Sequence, residues 1–187
     1  MSSRVIAGEL GGRVLKLPRG LSTRPTGAKV REALFNVLAD VSGAKVLDLY
    51  AGSGALAIEA LSRGAGSAVL VEHDRAALAC IRENLAALEL ATRAVVVPAR
   101  LPRGLARALA HGPFDLVFCD PPWADLADAG ETLAALVRGS GLAPGARLAL
   151  EHSVKDVAPA VAGLAVTDRR SWGDTAVSLF GGPGATI

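Results

Sequence analysis

From Lys45 onward, short apolar runs alternate with stretches whose apolar positions recur every three or four residues. The runs predict strands at 45–49, 68–72, 94–97, 114–119 and 146–151. The longer period predicts helices at 54–63, 74–89, 101–110 and 127–138. Such an alternation argues for a parallel sheet, because each crossover helix must cover one of its faces. Right-handed crossovers make it a doubly wound α/β fold. Two more strands are expected at 163–169 and 175–180, joined by the polar turn Trp172-Gly173-Asp174. So short a turn suits a hairpin, which lets the last strand run antiparallel. The expected body is therefore a mostly parallel, seven-stranded sheet.

Ahead of it, Val5 to Leu17 reads as a small β-hairpin turning about Gly8-Glu9-Leu10-Gly11-Gly12. Residues 21–25 read as a loop. Thr26 is placed to cap a helix reaching about Ala39, with Val30, Leu34, Val37 and Leu38 on one face. The organisation expected is a hairpin extension over 1–20 and one α/β domain over 21–187.

Of the 187 residues, 51% are hydrophobic and 20% charged, enough to bury a sizeable core. No apolar run approaches the ~20 residues of a membrane span. Met1-Ser2-Ser3-Arg4 opens without the apolar core of a secretion signal. Cys80 and Cys119 lack metal-ligand spacing and read as small buried residues in a reducing cytoplasm, not as a disulfide. Charge adds one feature. The net +2 divides into +6 over residues 1–31 and −4 over the rest. The basic group there (Arg4, Arg13, Lys16, Arg19, Arg24, Lys29, Arg31) is the footprint expected for nucleic-acid phosphates.

Two stretches carry chemistry. Phe114-Asp115-Leu116-Val117-Phe118-Cys119 is a buried strand that delivers Asp120-Pro121-Pro122-Trp123 to its end. Prolines fix φ and remove two backbone donors, leaving a stiff peptide with bare carbonyls. A carboxylate and a carbonyl can accept both N–H bonds of an exocyclic amine while Trp123 covers the ring. The plainer alternative is a strand end with a buried Trp; the prolines favour stacking.

The second stretch follows the first strand: Asp48-Leu49-Tyr50-Ala51-Gly52-Ser53-Gly54, with Glu72 at the end of the next strand. Glycines there let a ligand approach the backbone, and Glu72 can accept ribose hydroxyls. Gly52-x-Gly54-x-x-Ala57 formally matches a dinucleotide fingerprint, so NAD competes with S-adenosylmethionine. Asp48 separates them: it repels a pyrophosphate and suits the cationic amino group of a methionine moiety. His73 and His111 have no acidic or hydroxyl partner at a telling spacing, and His152 follows a strand end from which it could reach the cleft; each reads first as a surface or satisfied histidine and not as a catalyst. No metal cluster and no Gly-x-x-x-x-Gly-Lys phosphate loop occurs.

With both stretches placed, the chain resembles class I amino-methyltransferases, which carry an (Asp/Asn)-Pro-Pro-aromatic motif after the fourth strand. More closely it resembles the RsmD family, which methylates the exocyclic N2 of one guanine in 16S ribosomal RNA. Three stretches carry this: Arg4-Val5-Ile6-Ala7-Gly8 with Gly12-Arg13; Arg24-Pro25-Thr26 with Val30-Arg31-Glu32-Ala33-Leu34-Phe35-Asn36; and Ala51-Gly52-Ser53-Gly54-Ala55-Leu56 with Glu59-Ala60-Leu61-Ser62-Arg63-Gly64-Ala65. The resemblance implies a Rossmann-like methyltransferase that uses S-adenosylmethionine. Asp120, Pro121, Pro122 and Trp123 would form the reaction corner. Asp48, Ala51, Gly52, Ser53, Gly54, Glu72, His73 and Asp120 would touch the cofactor. Arg4, Arg13, Lys16, Arg24, Lys29 and Arg31 would meet RNA. The implied partner is 16S rRNA in the small subunit or an assembly intermediate, met by a cytoplasmic monomer with no metal and no membrane.

Two positions depart from the family. Ala28 stands where many members carry an acid, and Pro98-Ala99-Arg100 replaces an Asp/Asn-Ala whose side chain commonly addresses the adenine; a backbone amide is the expected substitute. Rival readings are a methyltransferase of DNA adenine or of a protein glutamine, an NAD-dependent oxidoreductase, and an RNA-binding module without catalysis. Asp at 120 and the basic arm favour a nucleobase, and no proton donor for a dehydrogenase is evident.

Overall fold

A computed structural model of the chain describes residues 3–18 and 27–182. The chain opens with a short antiparallel ladder, β1 (Ser3–Arg4) against β2 (Val14–Leu15), and helix α1 spans Gly27–Leu38. Thr26, expected to cap that helix, lies outside the described residues, as does the expected loop 21–25.

In β3 (Lys45–Leu49), Val46 to Leu49 are at most 1% exposed, the mark of a central strand covered on both faces. Strands β4 (Ser67–Glu72), β5 (Ala94–Pro98), β6 (Phe114–Cys119) and β7 (Leu142–Ser153) lie parallel to it. The hairpin β8 (Ala165–Trp172) and β9 (Thr175–Gly181) completes the sheet in the order β5-β4-β3-β6-β7-β9-β8. Strand β9 pairs antiparallel with both β7 and β8, as the short turn predicts. Chain order reverses between β3 and β6, so a crevice opens beyond their carboxyl ends, where open α/β sheets bind ligands.

Helices α2 (Ala55–Ser62) and α3 (Arg75–Ala87) pack with α1 and the N-terminal ladder on one face. The short α4 (Leu105–Leu109) and α5 (Leu126–Arg138) cover the other. Val5 and Leu15 are each 1% exposed within the first cluster, so the ladder is part of the core it covers.

Three elements differ from expectation. Strand β8, expected over 163–169, runs Ala165–Trp172, so Trp172 pairs with Thr175 and belongs to the strand and not to the turn. The helix expected over 101–110 forms only at Leu105–Leu109. Pro102 lacks an N–H and Gly104 is a poor helix former, so Leu101–Gly104 turn instead. Strand β7 starts at Leu142, four residues earlier than its apolar run. Pro144 and Gly145 (φ 74°) form an irregularity inside the strand: Phe114 pairs with Leu142, and pairing resumes only at Leu116 with Arg147.

Candidate active site

Side chains alternate across a strand, which decides what reaches the crevice. On β3, Leu47 and Leu49 face the α4/α5 side, whereas Val46 faces the α2/α3 side. Asp48 follows Val46's parity, Glu72 follows Leu70 of β4, and Asp120 follows Phe118 of β6. Asp48 and Phe118 are partners in the ladder. Three carboxylates thus gather on one face at the carboxyl ends of three adjacent strands. Asp48 is 1% exposed, and burial pushes its carboxyl well above the usual range, with Asp120 and Glu72 adding to the rise. A compact negative corner of this kind attracts a cation and repels a pyrophosphate.

The loop between β3 and α2 is held from three sides. Glu72 accepts the Gly52 N–H with Oε2 (2.9 Å) and the His73 and Asp74 N–H groups with Oε1 (2.6 and 2.8 Å). Asp48 Oδ2 accepts the Ala57 N–H (3.1 Å). That bond caps α2 from outside, because Gly54 at its N-cap has no side chain to do so. Packing therefore gives Asp48 a structural duty that its position in the sequence did not reveal. Asn84 of α3 donates to the Ser53 carbonyl (3.0 Å). At Gly54 (φ 79°) a side chain would be strained by the left-handed backbone and would crowd Leu70, whose Cδ2 would lie 3.0 Å from a Cβ. Ala51, Gly52 and Ser53 complete the crevice-side turn, and Ala51 N–H donates to Val71 O across the sheet (3.0 Å). Tyr50 (φ 61°) turns its ring to the other face, 3.4 Å from Thr132, where burial pushes its phenol up to about 12.

At the end of β6, the Asp120 N–H lies 3.4 Å from Leu49 O, holding the corner against β3. Pro121 is buried and Pro122 is exposed and extended (φ −50°, ψ 135°). The Pro122 carbonyl accepts from Asp125 N–H (2.8 Å) and closes a 3-10 turn, Trp123–Asp125, that leads into α5. Of the two carbonyls expected to stay bare, Pro122's is thus engaged, and Pro121's is not drawn into that turn. Trp123 is half-buried at the turn's start.

The histidines differ. His73 is exposed beside Glu72, with Nδ1 3.3 Å from Oε1. His111 lies near the opposite end of the sheet, in a groove of about 330 Å³ that Lys45 and Arg93 also line. His152 is 1% exposed, its ring nitrogens 2.9 Å from Ser153 O and Ser178 Oγ. It is satisfied within the β7–β9 ladder and does not face the crevice. After β5, the Ala99 amide donates to Glu72 O (2.9 Å), so this amide is not available as a substitute contact for an adenine. Both cysteines are buried and free.

Of the basic residues singled out, Arg4, Arg13, Lys16 and Lys29 are exposed, and Arg19 and Arg24 lie outside the described residues. Lys16 Nζ is 2.9 Å from Glu83, Arg4 bonds Gly12 O, and Arg13 bonds Ala87 O. Arg31 is 7% exposed and turned inward: Nη2 donates to Arg4 O (2.7 Å), and Nε lies 3.8 Å from Glu59. Burial lowers its pKa, and Glu59 opposes that. Glu59, fully buried, accepts the Ile6 and Ala7 N–H groups (2.7 and 3.0 Å) and Arg63 Nε (2.8 Å). Ser62 joins the ladder to the same helix, accepting Leu10 N–H and donating to Ala7 O. Gly8 permits this approach, since a Cβ there would fall 1.9 Å from Ser62 O. Single-residue reasoning missed Glu59, Ser62 and Asn84; buried polar side chains on otherwise apolar helix faces were the available signal.

This sheet, mostly parallel with β9 antiparallel and a crevice at the switch point, has the fold of the methyltransferase structures on which it superposes. The chain belongs to the family described as conserved hypothetical protein 95 (Cons_hypoth95), the RsmD family, whose model matches residues 3–181. It is similar to ribosomal RNA small subunit methyltransferase D of Escherichia coli (strain K12), at 42% identity over 160 residues, 84% of this chain and 78% of that one. YlbH of Bacillus subtilis (strain 168) is 36% identical over 184 residues, 95% and 97% of the two chains. The solved structure of Escherichia coli yhhF superposes with a TM-score of 0.82 at 34% identity, covering 98% of this chain and 99% of that one.

Proposed function

We propose that this methyltransferase moves a methyl group from S-adenosylmethionine to the exocyclic N2 of a guanine in 16S ribosomal RNA of the small subunit. The observation that carries this reading is the meeting of Asp120-Pro121 with the buried carboxylates Asp48 and Glu72 at one crevice. The family relationship to small-subunit rRNA methyltransferases supplies the substrate class.

When bound, the cofactor supplies a methyl group already made electrophilic by its sulfonium. Asp48 is placed to hold the cationic amino group, and an opposite charge beside it restores its ionised form. Glu72 keeps the Gly52 turn in place and presents its remaining acceptor direction to a ribose. Asp120 and the Pro121 carbonyl accept the two N–H bonds of the guanine amine. That amine is a poor nucleophile because its lone pair is delocalised into the ring. Two acceptors draw it out of plane, aim the lone pair at the methyl group and stabilise the positive charge that develops on nitrogen. Trp123 stacks on the base drawn into the corner. The exposed Arg4, Arg13, Lys16 and Lys29 hold phosphates, together with Arg24. Arg31 serves by fixing the arm that carries them.

Asp120→Ala tests this assignment. Loss of one acceptor costs about 3 kcal/mol of barrier, a rate loss of about a hundredfold in single turnover at saturating cofactor. Undiminished single-turnover methylation by this variant would refute the role of the corner.

A further inference from the structure

Asn84 joins two parts of the protein that the proposed reaction uses separately. It sits on α3, 2% exposed. Its Nδ2 donates to Ser53 O in the cofactor loop (3.0 Å) and to Lys16 O in the N-terminal arm (3.1 Å), and its Oδ1 accepts the Lys16 N–H (2.8 Å). The partners fix the amide's orientation, because two carbonyls need a donor and one N–H needs an acceptor. Cys80, one turn earlier on α3, also donates to Lys16 O (3.1 Å). Lys16 therefore meets α3 as it would meet a neighbouring strand, and only two residues later the chain enters the segment that bears Arg24.

A planar amide cannot serve these contacts independently. A rotation that frees Ser53 O also removes Nδ2 from Lys16 O and Oδ1 from Lys16 N–H. One rotamer is thus shared by the loop and the arm. Ser53 lies between Gly52 (φ 57°) and Gly54 (φ 79°), and its peptide is held on both edges, by the Gly54 N–H on Ala51 O (2.7 Å) and by Asn84 on Ser53 O. A ligand that orders this loop would act on Asn84 through the Ser53 carbonyl.

We propose that Asn84 is a positioning residue that couples occupancy of the cofactor loop to docking of the N-terminal arm. Cofactor binding then tightens the surface that meets RNA, and RNA binding tightens the cofactor by the same factor, since linkage is reciprocal. The inference rests on the reading of loop 51–54 as the cofactor site and of the arm as an RNA surface.

Hydrogen exchange on the full chain, with and without saturating S-adenosylhomocysteine, tests it. In the wild type, the ligand should slow exchange both in residues 51–58 and, by about tenfold, in residues 13–17. Asn84→Asp keeps an acceptor for Lys16 N–H but sets an oxygen against two carbonyls. In it the ligand should protect the loop and leave the arm unchanged. Asn84→Ser, too short to reach both partners, should behave alike and guards against misfolding of the first variant. A purely structural role would raise exchange in both states and leave the ligand's effect on the arm intact. That result, or loop protection without arm protection in the wild type, would overturn the coupling alone. Protection of neither segment in the wild type would overturn the cofactor reading and the coupling with it.

Discussion

Glu59→Gln should release the N-terminal arm from the body of the protein at a stability cost that the contacts allow one to work out. Glu59 is fully buried and carries three short bonds: to the Ile6 N–H, the Ala7 N–H and Arg63 Nε. A glutamine keeps one acceptor oxygen and sets an NH₂ group against a donor, so at least one buried N–H is left unmet. It also removes the charge that faces Arg31, whose side chain is 8% exposed and 3.8 Å away. Removing one partner of a buried pair costs about 3–5 kcal/mol, because the other charge stays desolvated and uncompensated. For a chain of this size, each kcal/mol moves Tm by about 2–4 °C, so the drop should be about 6–20 °C. Calorimetry with reversible unfolding measures it. A double-mutant cycle with Arg31→Met isolates the pair: the double variant should be more stable than the two single losses added together predict. Limited proteolysis near residues 5–15 should accelerate in Glu59→Gln before the domain unfolds. A variant within 1 kcal/mol of wild type, or strict additivity in the cycle, would refute the clamp.

Asp48→Asn should separate stability from ligand binding. Burial raises the folded-state pKa of Asp48 above its ordinary value near 3.8. Above that value the folded state holds the proton that the unfolded chain releases, so wild-type stability falls as pH rises, with a slope up to about 1.4 kcal/mol per pH unit. Asparagine removes this slope and can still accept the Ala57 N–H; differential scanning fluorimetry from pH 4 to 8 should show a flatter profile. S-adenosylhomocysteine should bind the wild type with proton release, read by calorimetry in buffers of different ionisation enthalpy, and bind Asp48→Asn weakly without it. Equal affinity and equal proton release in the two proteins would remove Asp48 from the cofactor site. Replacing Arg4 and Arg13 together by Ala should weaken RNA binding evenly across sequences and reduce the slope of log K against log salt by about 2. An unchanged slope would place the phosphates elsewhere.

The alternation of apolar runs carried most of the fold, because a doubly wound sheet buries its strands on both faces and leaves little ambiguity of type. Strands β3 and β6 match their expected bounds residue for residue. Two of the misses occur where Pro and Gly punctuate the chain. Pro144-Gly145 reads as a loop in one dimension, yet it is an irregularity inside β7 once β6 is beside it. Pro102 and Gly104 delay α4 for the reason that they break helices anywhere. Around the site, residues that end strands were legible, since Asp48, Glu72 and Asp120 share the parity of their strands. Arg31 was not. A basic residue on a helix looks like a phosphate contact until Glu59, 28 residues further along, is seen packed against it. The described parts of the three stretches that carry the family resemblance meet in this same network, through Arg4, Ile6, Ala7, Arg31, Glu59 and Ser62.

The central claim is a methyl transfer to a guanine amine in small-subunit RNA. Its most direct test is to incubate the purified protein and methyl-labelled S-adenosylmethionine with small ribosomal subunits from cells lacking the enzyme, then digest the RNA to nucleosides. Label should appear in N2-methylguanosine from 16S rRNA and at one position when mapped. Label in ribosomal protein, in another nucleoside, or in none at all would contradict the account.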